Sequence, residues 1–483
     1  MIVPGLELED LEPLAGRGAV GLLVPAAGPR ASGPASEAAL VRGKVRNSLR
    51  GGLPEGPALI TVQTRDRPPL EGPAIVVGLP RGGDQPNDRR YPIAVLGAGY
   101  RGLLKSHQTR IPGLVSIVDV APTALRTKDA LESRPAEDQV ARLRELDGRI
   151  DENNSTRELA SLVVWLLTCV LAAVLPRAAV VAFPCALAAN LALGAAGISD
   201  RVAVVAVFAL AVACAAPLVA VAARSAYAVG LLCAASLAGY LVAFAVDGRW
   251  VALSPLGPTQ NARFYGLSNL LETFLLVPAF VGAALLARRH WSLFAGVAGL
   301  SFVVVAGSRF GADGGGAVVL AAGYAVLAVA RAQARGRVLV VASAGAAAVV
   351  AGLLLLDELT GASSHVTRTI RGGPVDLTEA LRDRVTLSWE RATDQASTAL
   401  IIALSVVALA LLVIRLIDFE PSARRIALPL SIVAAIAVSL VVNDSPVDVL
   451  VTGLLAYLAV EAYALPHVGA AVTLGRRLRL TAD

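Results

Sequence analysis

Two polar clusters, Asn261-Ala-Arg-Phe-Tyr-Gly-Leu-Ser-Asn269 with Glu272 just beyond it, and Gly307-Ser-Arg-Phe-Gly-Ala-Asp-Gly-Gly-Gly316, stand at the mouths of long apolar runs. Ionisable side chains beside bilayer-length segments are costly, so their presence points to a site. Working outward from them, apolar runs recur at 159–175, 178–196, 202–222, 226–246, 267–287, 291–307, 315–331, 337–356, 398–416, 426–442 and 446–465. A crossing needs about 20 apolar residues, so the expected fold from 158 onward is an all-α membrane domain of about 11 spans. A hydrophobic fraction of 55% and a mean hydropathy of +0.65 agree with a polytopic chain. Gly, Ala and Ser within the runs permit close helix contact in lipid.

The net charge of +6 is carried almost wholly by arginine, with lysine only at Lys44, Lys105 and Lys128. No basic-aromatic patch suggests nucleic acid, and no phosphate-binding Gly-x-x-x-x-Gly-Lys loop suggests a nucleotide-driven pump. The arginines instead punctuate the spans. Arg177, Arg224, Arg288-Arg289, Arg331/Arg335/Arg337, Arg415, Arg424-Arg425 and the tail Arg476, Arg477 and Arg479 fall on one side. Basic short loops face the cytoplasm, so residues 1–155 and both polar clusters are expected outside and the C-terminus inside. Met1-Ile-Val-Pro-Gly5 is no export signal, so the expectation is either a natural start upstream or an unusual route of crossing for this domain. Cys169, Cys185, Cys214 and Cys233 all lie in apolar runs and read as small buried hydrophobes, with no metal or cofactor implied.

Residues 1–134 read as α/β. Short β-branched runs at 19–24, 58–62, 74–78, 93–96 and 114–118 alternate with Gly/Pro/Asp turns, and one helix is expected over 36–49. Residues 135–157 read as a charged linker helix with Val140, Leu143 and Leu146 on one face, resting on the membrane surface. The loop 357–397 contains Asp376-Leu-Thr-Glu379 as a cap and an amphipathic stretch through Leu381, Val385 and Trp389, an interfacial helix.

The candidate site draws on both clusters. Tyr265, Asn269 and Glu272, spaced four and three apart, are expected on one helical face, with Glu272 about two turns into the fifth span. Gly314-Gly315-Gly316 opens the seventh span, where backbone N–H groups and the helix dipole favour an anion, alongside Arg309. Arg263, Arg309 and Arg368 are the candidate anion neutralisers, and Glu272 or Asp313 the candidate base or cation ligand. Tyr265, Asn269, Gly315, His365, Asn443 and Asp444 complete the substrate-binding set. A structural ion pair joining the fifth and sixth spans is the competing reading of Glu272, and helix capping that of Asn443.

Asp119-Val-Ala-Pro-Thr123, with the preceding 102–116 stretch and Val3-Pro-Gly-Leu6, resembles the alkaline-phosphatase/sulfatase superfamily. The likeness covers residues 1–130. It implies a shortened, degenerate relative without metal, because the expected Asp ligand is replaced near Pro4, no nucleophile is in place, and His107 stands alone. The whole chain resembles a group of actinobacterial multi-span proteins that join such a domain to Arg-Phe-Tyr-Gly and Gly-Ala-Asp-x-Gly-Gly.

Three functions follow as expectations. The first is a cell-envelope protein handling an anionic, phosphate-bearing lipid-linked substrate at the outer leaflet, as a transferase. The second is a transporter or flippase of such cargo. The third is a non-catalytic scaffold that binds envelope-assembly proteins.

Overall fold

The computed structural model describes residues 1–26, 28, 30–43, 63–66, 72–97, 99–127, 130–258, 264–332, 396–419, 423–443 and 445–465, with 382, 386, 389 and 393. The expected strand at 58–62, the run 337–356 and the cap at Asp376 lie outside these residues. The chain is mostly helical with a small mixed sheet, and it divides into two compact units.

The first unit comprises Met1–Ser155 with Pro258–Tyr265. Its central strand β1 (Gly18–Val24) is buried along its whole length, as expected of a strand covered on both faces. On one edge β1 pairs antiparallel with β5 (Tyr91–Leu96), which pairs with β3 (Ala74–Val77). The other edge is shared by two parallel partners. β6 (Gly102–Lys105) meets Ala19 and Val20, and β7 (Leu114–Ser116) meets Leu22 to Val24. Gly113 makes that sharing possible. At φ +91° its carbonyl accepts from Leu22 N and its N–H donates to Leu104 O, both at 2.7 Å. A last strand, Glu132–Arg134, pairs antiparallel with β6.

Helix α1 (Gly33–Arg42) begins on the Ser32 cap and ends at Gly43, in the left-handed region, as cap chemistry predicts. Helix α2 (Gln139–Val174) is one continuous element. Its first half places Val140, Leu143 and Ile150 in the core of this unit, and buried Arg90 pairs with Asp147 and Asp151. Of the expected stripe, Val140 and Leu143 are thus buried against protein and Leu146 is half-buried.

The second unit contains Thr156–Gly257 and Gly266 onward. After α2 come α3 (Pro176–Ala196), α4 (Arg201–Ala222), α5 (Ala226–Asp247), α6 (Asn269–Leu286), α7 (Trp291–Ala306), α8 (Gly314–Ala332), α9 (Ala396–Phe419), α10 (Ala423–Val442) and α11 (Pro446–Ala464). Seven of the described helices are long and apolar enough to cross a membrane: α2 to α6, α9 and α11. Helices α7, α8 and α10 are apolar but shorter.

The breaks have local causes. Leu175 leaves helical geometry and Pro176 starts α3, while Asp200, Ser225 and Ser268 cap α4, α5 and α6 by accepting from Ala203, Ala228 and Leu271 N–H groups. Helix α6 is almost wholly buried, packed by α5, α7 and α11, and α8 packs on α10. By contrast α4 and α9 display Val202, Leu210, Leu218, Leu400, Leu404 and Leu411 on their outer faces. Apolar surface on that scale calls for lipid or protein cover. Cys169 on α2 and Cys214 on α4 are exposed as well, so of the four cysteines only Cys233 is fully buried.

Candidate functional site

The backbone joins the two polar clusters before any side chain does. Gly266 sits at φ +80°, and a β-carbon there would stand 2.0 Å from the Gly311 carbonyl. That carbonyl also accepts from Leu267 N at 3.0 Å. Only glycine permits this approach. The chain then turns through Ser268, whose Oγ donates to Leu256 O at 2.8 Å and caps α6. Tyr265 thus lies outside the helix, and the expected face of Tyr265, Asn269 and Glu272 does not form. Asn269 is the first residue of α6, half-buried. Glu272 falls in the first turn, not two turns in, where the positive helix end favours a carboxylate.

The second cluster is a tight turn from α7 to α8. Phe310 and Ala312 N–H groups bond the Gly307 carbonyl at 2.8 and 3.0 Å, and Asp313 N returns to Val305 O at 2.9 Å. Ala312 adopts φ +53°, a conformation that costs a non-glycine residue energy. Asp313 then caps α8, its Oδ1 accepting from Gly316 N at 3.1 Å.

Three side chains converge on this N-terminus: Glu272 at 1% exposure, Asp313 at 2% and Asn443 at 2%. Asn443 follows the end of α10. Its Nδ2 donates to Glu272 Oε2 at 2.8 Å and to Ser439 Oγ at 2.7 Å. The glycines let the oxygens close in. A β-carbon on Gly315 would lie 2.7 Å from Asn443 Oδ1 and 3.3 Å from Asp313 Oδ1, and one on Gly316 would lie 3.1 Å from Glu272 Oε1. The helix end predicted to greet an external anion is therefore occupied by the protein's own carboxylates.

The other expected residues are placed elsewhere or not described. Arg309 is exposed on the turn. Tyr265 carries the Arg110 guanidinium 4.0 Å above its ring, both within the first unit. Arg263, His365, Arg368 and Asp444 lie outside the described residues. Among the described residues no group of three or more His, Cys, Asp or Glu is placed to hold a metal ion.

No family model, curated protein or solved structure matches this chain.

Sequence reasoning missed two further polar features of the helical unit. Asn190, fully buried in α3, donates to Tyr240 OH at 3.1 Å and to Ser254 Oγ at 2.9 Å, and accepts from Leu256 N at 3.0 Å. Such a satisfied network fixes packing. Glu461 of α11, 4% exposed, pairs with Arg415 of α9. The available signal was an Asn or Glu inside an otherwise apolar run, which asks for a partner on another helix. In the first unit, the Asp119–Thr123 motif is occupied structurally. Buried Ser106 donates to Asp119, while Thr123 Oγ1 donates to Asp119 O at 2.6 Å and accepts from Leu131 N at 2.8 Å.

Proposed function

We propose that this is a multi-pass cell-envelope membrane protein that moves an anionic, phosphate-bearing lipid-linked substrate, working as a transporter or flippase. The observation that carries the reading is the burial of Glu272, Asp313 and Asn443 against the most enclosed helix of the unit. Ionisable groups held there cost free energy unless they pair or line a pathway. A transferase needs its base open to an acceptor. Carboxylates sealed at 1% and 2% exposure suit a site that opens by helix movement. Prolines inside three helices support such movement: Pro184, Pro278 and Pro429 lie within α3, α6 and α10, and each removes one backbone hydrogen bond from its helix.

The transferase reading draws on exposed Arg309, four residues from Asp313. Arg309 would receive the phosphate, with Glu272 or Asp313 as base. In either case the membrane domain would have about 11 spans, counting α7, α8, α10 and the run 337–356. The arginine distribution supports an extracytoplasmic first unit and a cytoplasmic C-terminus. The first unit would be a metal-free phosphatase-like module that recognises a head group, glycan or envelope-assembly partner. The setting of Asp119 after β7, at the start of a short helix, is compatible with that likeness.

Reconstitution of the full chain in liposomes with a fluorescent polyprenyl phosphate tests the proposal. Protein-dependent movement of the lipid between leaflets, lost in Glu272→Gln, is the expected result. Turnover of the lipid without movement would establish the transferase. Neither, with a folded protein, would leave the scaffold.

A further inference from the structure

One end of the mixed sheet in the first unit carries an open cavity. It forms where β1 and β6 begin and β5 ends: Gly18 opens β1 opposite Leu96, and Gly102 opens β6 opposite Ala19. Gly102, at φ +82°, lets the chain beyond the last strand join them. A β-carbon there would stand 2.0 Å from the Arg134 carbonyl and 2.6 Å from Ala136 N. Only glycine admits that approach. The cavity measures about 560 Å³, within the roughly 300–1,000 Å³ of small-molecule sites. It lies at the opposite end of β1 from Asp119, because β7, which leads to Asp119, pairs with the far half of that strand.

The lining is basic. Arg17 and Arg101 both line the cavity, with Gln139 and Tyr100 beside them, and among the described residues no carboxylate does. Among the described residues neither guanidinium, nor the Gln139 side-chain amide, has a hydrogen bond or an ion pair. Other exposed arginines of this unit are answered, Arg30 by Asp84 and Arg144 by Glu9. The Tyr100 hydroxyl donates to Leu131 O at 3.0 Å, which leaves its ring as the surface it offers. Two arginines on one concave surface without an acid raise the local potential and draw an anion.

We infer that this cavity binds a phosphate monoester, with its oxygens held by Arg17 and Arg101 and its organic part against Tyr100. The guanidinium fork matches phosphate oxygens in pairs. A phosphate monoester carries about −1.5 to −2 charge at neutral pH, which answers both arginines where a single carboxylate answers one. Soluble phosphorylated compounds and the head groups of lipid phosphates share this chemistry, and the experiment separates them. The inference rests on the head-group role given to the first unit and is tested by binding alone, so it and the transport reading can fail separately.

The experiment is calorimetric titration of the purified full chain in detergent with glycerol 3-phosphate, and with dihexanoyl phosphatidate as its lipid counterpart. Saturable binding of at least one ester is expected, tighter than that of succinate, and the tighter ester names the source. Arg17→Ala and Arg101→Ala should each weaken binding by about tenfold. Their unliganded Tm should match the wild type, because neither side chain holds a partner among the described residues. Arg101→Lys keeps the charge without the fork and should fall between. Arg30→Ala, which removes the same charge past the end of β1, should bind as the wild type does. No binding of either ester, succinate bound as tightly, or wild-type affinity in the Arg17→Ala/Arg101→Ala double variant would each overturn the site. Lipid movement by a wild-type chain that binds neither ester would leave the transport reading standing and remove this one.

Discussion

Asn443 Nδ2 donates to Glu272 Oε2 at 2.8 Å across 171 positions of sequence, tying the end of α10 to the first turn of α6. Replacing Asn443 with leucine removes the donor from a buried carboxylate and from the Ser439 hydroxyl. We expect a loss of about 2–3 kcal/mol in unfolding free energy. Asn443→Asp should cost more, since it sets a carboxylate against a carboxylate. Denaturant midpoints in detergent distinguish the two.

The contact of Gly323 with Phe280 is steric. A β-carbon at 323 would approach Phe280 Cζ to 2.1 Å, and Phe280 stacks edge-on to Tyr324 with centroids 5.0 Å apart. Gly323→Ala should destabilise by about 1–3 kcal/mol through overpacking. Adding Phe280→Leu should return part of that loss, giving a coupling term that a double-mutant cycle measures.

The Arg415–Glu461 pair predicts a different pattern. Glu461→Leu alone leaves the guanidinium without its carboxylate and should cost about 3 kcal/mol, the lower end for a buried pair. The low end applies because the Arg415 side chain retains 37% exposure. Arg415→Met combined with Glu461→Leu should recover most of the stability, as apolar replacements of buried pairs do. Thermal unfolding of the three variants reads the effect.

In the first unit, Ser106→Ala removes the hydroxyl that donates to buried Asp119. A stability loss of about 1–3 kcal/mol is expected. Faster amide exchange in 114–124 than in β1 would show that the loss is centred on the β7 turn.

Run length alone made the apolar helices legible, whereas the caps that fix their starts were not read. Pro176, Asp200, Ser225 and Ser268 mark helix starts that the apolar runs alone leave vague. Strands β1, β3, β5 and β7 announce themselves by β-branched content. β6 and Glu132–Arg134 do not, being short and dependent on the edge of β1 for their pairing. The face joining Tyr265 to Glu272 was misjudged because spacing assumes a helix, and Gly266 at φ +80° ends that assumption. Which side of a helix meets solvent or lipid also escapes composition, hence the exposed Cys169 and Cys214. The meeting of Glu272 with Asn443 had no local signal. Sequence reasoning named both residues without any means of deciding that they touch.

The separation of Glu272 from Asn443 sets a timetable for biogenesis. A ribosome adding about 5–20 residues per second delivers the amide roughly 10–35 s after the carboxylate. During that interval α6 must wait in the translocation machinery or the bilayer with an acidic group whose final neighbour has not been made. Truncation upstream of α10 should therefore yield a chain that is retained by insertion chaperones or degraded, whereas a cut after α11 should be released as mature protein.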